Sequence, residues 1–166
     1  MKDYRTIIVG TDGSALAEPT VGRAAWLAKH DDADLVIVCA YAQLSRRTEA
    51  KNVATLGGDG RTGQVLGREA ASVALAEAMR VATAEGATVA AALLIDGDPS
   101  TALVVTAEDR SADLIVLGAL HDRSLADRVL GWTATEVTKR ARCDVLIVRP
   151  EYDQGDLAVP EDAPAE

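Results

Sequence analysis

The chain has 166 residues, enough for one domain with a sizeable core, and 48% of them are hydrophobic although Phe is absent. A formal net charge of −9 at pH 7 argues against a nucleic-acid binder, which normally carries a basic stripe. The core must therefore be built from Ala, Val, Leu and Ile, and no apolar run approaches the length of a membrane span.

The N-terminus, MKDYRTIIVG, enters a strand without the apolar region of a signal peptide, so a cytoplasmic protein with no membrane partner is expected. Thr6 to Gly10 reads as the first strand, a short apolar run suited to burial on both faces of a parallel sheet. Gly13 permits a sharp turn and Ser14 is placed to cap the first helix, with Pro19 fitting a first turn. Val21, Ala24, Ala25 and Ala28 make its apolar stripe. Trp26 beside it reads as packing, and His30 as an exposed helix-end residue. Leu35 to Ala40 is the second strand.

Periodicity then disappears from Tyr41 to Gln64, a stretch with four glycines and Arg46, Arg47, Lys51 and Arg61. It reads as a mobile loop. Ala71, Leu75, Ala78, Met79 and Ala82 mark a long helix stopped near Gly86. Thr88 to Ile95 is the third strand. Asp98 and Pro99 are the N-cap and first residue of the next helix, whose Leu103 and Ala107 face inward. Asp113 to Leu117 is the fourth strand, followed by a polar turn and a short helix around Leu125 to Leu130. A further helix precedes the fifth strand, Asp144 to Val148. Thr133 and Glu136 have the spacing of a capping box for that helix. Cys39 and Cys143 are both expected in strands, make no metal-ligand spacing, and read as buried free thiols, a disulfide being the alternative. Beyond Pro150 come six carboxylates, two prolines and no basic residue, so residues 151–166 read as an acidic, loosely ordered tail.

The alternation of strands and helices implies a three-layer α/β sandwich with helices on both faces of a five-stranded parallel sheet. Strands one and four are the two that end in glycine-bearing turns. If they are neighbours, their loops open into one crevice at a topological switch point.

The segments IIVGTDGS (Ile7 to Ser14), GDP (Gly97 to Pro99), ADLIVLG (Ala112 to Gly118), Gly131 and CDVLIVRP (Cys143 to Pro150) occur in an order that resembles the universal stress protein (UspA) family. The resemblance covers residues 4 to 150 and implies a domain over 1–150. It also implies a Rossmann-like sheet of order 3-2-1-4-5 and a homodimer paired through the fifth strand (Asp144, Val145, Leu146, Ile147, Val148). Nucleotide-binding members carry a glycine, two residues, a glycine, nine residues, then a glycine followed by Ser or Thr. Gly118 and Gly131 keep that frame, but His121 replaces the second glycine and Trp132 the hydroxyl residue. The altered pair admits two outcomes. His121 with Arg123 or Arg128 can contact a phosphate, or imidazole and indole can fill its place.

The resemblance further sets Asp12 near the adenine and ribose end of the crevice, by the backbone of Ala40 or Tyr41. A local turn-stabilising role for Asp12 is the alternative. The expected binding set is Gly10, Thr11, Asp12, Ala40, Gly118, His121, Arg123, Gly131, Trp132 and Thr133, around ATP, AMP or cyclic AMP. No metal site and no catalytic triad are expected. The resulting expectation is a non-catalytic, dimeric stress-response module in which ATP binding is weak, lost or exchanged for another adenine nucleotide. A slow ATPase or phosphotransferase using Asp12 and a metal is the enzymatic alternative. A phospho-receiver domain is disfavoured because Arg149, not lysine, ends the fifth strand.

Overall fold

A computed structural model of the chain describes residues 3–43, 64–119 and 130–149. The elements run β1 (Thr6–Gly10), α1 (Ala17–Asp31), β2 (Asp34–Ala42), β3 (Val65–Leu66), α2 (Arg68–Ala84), β4 (Val89–Asp96), α3 (Pro99–Asp109), β5 (Leu114–Gly118), α4 (Trp132–Arg140) and β6 (Asp144–Val148). The five longer strands form a parallel sheet in the order β4-β2-β1-β5-β6, the 3-2-1-4-5 arrangement expected. The sheet also has a sixth strand that the periodicity did not show. The two-residue β3 pairs with Tyr41 and Ala42, so β2 is longer than expected and the featureless stretch starts later. Two residues carry too little pattern to register as a strand.

Alternating side chains divide the core into two layers. Ile7 and Val9, Leu35 and Ile37, and Leu114 and Val116 pack with α1 and α2 on one face. Ile8, Val36, Val38, Ile115 and Leu117 pack with α3 and α4 on the other. β1, β2 and β5 are therefore apolar at nearly every position because both of their faces are covered. Each fully buried Ile or Val among them contributes roughly 1.5–3 kcal/mol. Asp113 fixes the entry to the central strand, its carboxylate accepting from the backbone N–H of Arg5 at 2.9 Å and of Thr6 at 3.1 Å.

The caps are partly as expected. Asp98 caps α3, accepting from the Thr101 N–H at 2.8 Å with Pro99 in the first turn. Ser14 does not cap α1. The helix begins at Ala17 with Leu16 at the capping position, and Ser14 serves the preceding turn by accepting from the Ala17 N–H. Trp26 is no core residue either. It is 51% exposed and stacks on His30, ring centroids 5.3 Å apart. Met79 of α2 also faces outward, whereas Ala71, Leu75, Ala78 and Ala82 are buried. Among the described residues, no helix is long and apolar enough to cross a membrane.

Candidate functional site

β1 lies between β2 and β5. The chain leaving β1 continues to α1 on one face, and the chain leaving β5 reaches α4 on the other. Loops that depart to opposite faces leave a crevice between them at the carboxyl ends of the strands. Such a cleft is present, with a volume of about 560 Å³ including its open mouth. Gly10, Thr11 and Asp12 line it from the end of β1, Val38 and Ala40 from β2, and Gly118 and Ala119 from the end of β5. Leu16, Ala17 and Thr20 of the first helical segment, Pro99 and Leu103 of α3, and Thr133 of α4 complete it.

Local chemistry builds each wall. Gly13 has φ +71°, a left-handed conformation that suits glycine, and a Cβ there would sit 3.0 Å from the Ala74 Cβ. The same turn is held by Asp12, whose Oδ1 accepts from the Ser14 N–H at 2.9 Å. Gly118 permits the close approach of α1 to β5, since a Cβ there would meet Leu16 Cδ2 and Thr20 Oγ1 at 3.0 Å each. Behind the floor, burial, and after it the charge of Asp12, pushes the Cys39 thiol up to about 12. That thiol is buried and free, and at neutral pH it carries almost no thiolate. Cys143 is free as well, its pKa raised chiefly by burial.

The far wall differs from expectation. Gly131, in extended conformation (φ −61°, ψ 162°), is the N-cap of α4, and Trp132 and Thr133 already belong to the helix. Thr133 therefore cannot act as the N-cap, and the capping box with Glu136 does not form. Glu136 lies in the second turn and pairs with Lys139 at 3.0 Å. Gly131 offers α4 no side-chain cap and no acid stands in its first turn, so the positive dipole end of the helix lies beside the cleft that Thr133 lines. Trp132 is 60% exposed and is not among the described cleft-lining residues, so its indole does not fill the cleft there.

The described part of the cleft thus brings together Gly10, Thr11, Asp12, Ala40, Gly118 and Thr133, with Gly131 and Trp132 beside its mouth. His121, Arg123, Arg128 and most of the expected short helix lie outside the described residues. Periodicity gave no sign that Leu16, Thr20, Pro99 and Leu103 line the cleft. As ordinary core-type residues on helices, they carry no signal of a site. No cluster of potential metal ligands occurs among the described residues.

The model of a protein family described as the universal stress protein family matches residues 3–149. Universal stress protein Rv1636 of Mycobacterium tuberculosis is 36% identical over 148 residues, covering 89% of this chain and 98% of that protein. Among solved structures, a universal stress protein in complex with cAMP is similar with a TM-score of 0.65 and 32% identity, covering 89% and 98% of the two chains. The crystal structure of Rv1636 is similar with a TM-score of 0.54 and 33% identity, covering 91% and 99%.

Proposed function

The chain belongs to the universal stress protein family, and from that premise we propose that it is a non-catalytic, dimeric stress-response module whose switch-point cleft binds an adenine nucleotide. AMP and cyclic AMP suit it better than ATP. The observation that carries this reading is the cleft itself, with apolar Val38, Ala40 and Leu103 at the β2 and α3 side and Thr133, in the first turn of α4, at its edge. The first suits a base or sugar and the second a phosphate. A relative 32% identical to this chain has been solved with cAMP, which supports a monophosphate. The altered glycine frame argues against a triphosphate. With His121 and Trp132 in place of glycine and a hydroxyl residue, two of the four positions that let a backbone close around a phosphate chain have changed.

The dimer is proposed through β6. This edge strand is apolar and half-buried from Val145 to Val148, and pairing two such edges across a two-fold axis covers both.

Calorimetric titration of nucleotide-stripped protein tests the ligand. Micromolar binding of AMP or cyclic AMP, with ATP at least about tenfold weaker, is the expected result. Tight ATP binding accompanied by phosphate release in the presence of Mg²⁺ would establish the enzymatic alternative instead. No heat with any of the three would leave a pure interaction module.

A further inference from the structure

The helices do not cover the sheet evenly. On one face α2 packs on both β2 and β4, but on the other α3 lies over β1 and β2 and stops short of the outermost strand, β4. Leu93 and Ile95 of β4, which point to that second face, are therefore only half-buried. Val105 of α3 is 46% exposed beside them. The result is a groove of about 1170 Å³ including its open side, floored by Leu93 and Ile95 and walled by Ala102 and Val105. It shares no residue with the lining of the switch-point cleft.

The groove runs along a strand with a free side. Among the described residues, β4 pairs with β2 alone. The Gly97 N–H donates to the Tyr41 carbonyl at 2.9 Å, so odd-numbered residues face β2 and the N–H groups of Ala92, Leu94 and Asp96 point outward. The pairing skips one residue between Val89 and Ala91, then keeps a regular register to Asp96. An edge of this kind can take a further strand, whose side chains on the α3 side would enter the groove.

Charge decides what kind of strand fits. Asp96 and Asp98 stand where β4 ends and α3 begins, and Asp109 stands at the other end of α3, next to Arg110. Asp98 is engaged in capping the helix. Asp96 and Asp109 are exposed and form no ion pair among the described residues. Three carboxylates against one guanidinium leave the groove acidic at both ends, with an apolar centre. The 11 residues of α3 separate those ends by roughly 16 Å, the span of about five residues of extended chain. A second copy of this protein is a poor occupant, because a two-fold contact presents the same patch from both sides and would set the carboxylates against each other.

We propose that this groove docks an extended segment of a different protein, apolar at alternate positions and bearing lysine or arginine at its ends, which adds to β4 as a further strand. Main-chain hydrogen bonds to the edge hold the segment, and the apolar floor and acidic ends select it.

A fluorescein-labelled peptide with a Val-Thr-Val-Thr-Val centre and two lysines at each end tests this by fluorescence anisotropy with the full chain. It should bind saturably, and the same peptide with glutamates in place of the lysines should bind at least about tenfold more weakly. Asp96→Lys combined with Asp109→Lys should weaken the lysine peptide about tenfold and favour the glutamate one. Ala92→Pro removes an outward donor and spares the ladder to β2, so it should also weaken the lysine peptide, about tenfold, with an unchanged circular dichroism spectrum. If that variant does not fold, methylating alternate backbone nitrogens of the peptide takes its place. One of the two alternating sets should abolish binding and the other preserve it. A parent protein that does not bind the lysine peptide would overturn the proposal, as would equal effects of the two methylated sets. Binding left unchanged by the charge-reversed variant would overturn it too, since general attraction to an acidic molecule would then account for it. A parent dimer that Ala92→Pro converts to a monomer would give the edge to a second copy and overturn it as well.

Discussion

Asp98 shows how one carboxylate can set a helix and join it to its neighbour. It accepts from the Thr101 N–H and the Ser100 hydroxyl, and Arg140 of α4 donates to Ser100 Oγ at 3.3 Å and Thr101 Oγ1 at 3.1 Å. Burial works to raise its pKa, but the hydrogen bonds from Ser100 and Thr101, with Arg140 nearby, hold it below the usual carboxylate range. A depressed carboxylate contributes stability that is present above the unfolded value, about 4, and is lost as pH falls through the lower folded value. Asp98→Ala should therefore cost about 1 kcal/mol in urea denaturation at pH 7. Its deficit relative to the parent should shrink when the comparison is repeated below about pH 4. An unchanged deficit in acid would mean that packing, not the charge, is lost. This cap was legible in the sequence because its chemistry is local: Asp followed by Pro states where a helix begins without reference to the rest of the fold.

The start of α4 was not legible in that way. Gly131 and Thr133 are both capable N-caps, and Glu136 at the right spacing favours the second. What decides is tertiary: Ala134 and Val137 are 3% and 0% exposed against the sheet, and seating them there puts Trp132 and Thr133 inside the helix. For the proposed ligand, the side chains that bear on a triphosphate are the two that alter the glycine frame, His121 and Trp132. Replacing His121→Gly together with Trp132→Ser should therefore strengthen ATP binding at least about tenfold in calorimetry, with AMP affected less. If the double variant binds ATP no better than the parent, those two residues are not what disfavours a triphosphate. Trp26 is a second case where a helix pattern falls short. Its place next to the apolar stripe of α1 does not say which side of the boundary it occupies, and it lies outside, against His30.

For the whole molecule, apolar runs and turn glycines marked the strands and the family resemblance supplied their order, whereas the apolar residues lining the cleft and the brief β3 left no mark on either. The proposed dimer can be tested through the direction of backbone groups in β6. The Asp144 N–H donates to the Asp113 carbonyl and the Val148 carbonyl accepts from the Ala119 N–H, so even-numbered residues face β5 and the N–H groups of Val145 and Ile147 point outward. Val145→Pro removes an outward donor and spares the ladder. It should yield a folded monomer by light scattering with an unchanged circular dichroism spectrum, whereas Leu146→Pro should fail to fold. A Val145→Pro protein that stays dimeric would place the interface elsewhere. The pairing of β1 with β5 also bears on how the molecule assembles. Its central strand gains one neighbour from the adjacent third of the chain, but its other neighbour begins at Leu114. During synthesis, the first half must wait with one side of its innermost strand uncovered. The cleft is consequently among the last features to appear, and a molecule bound there could not stabilise the growing polypeptide until most of it has been made.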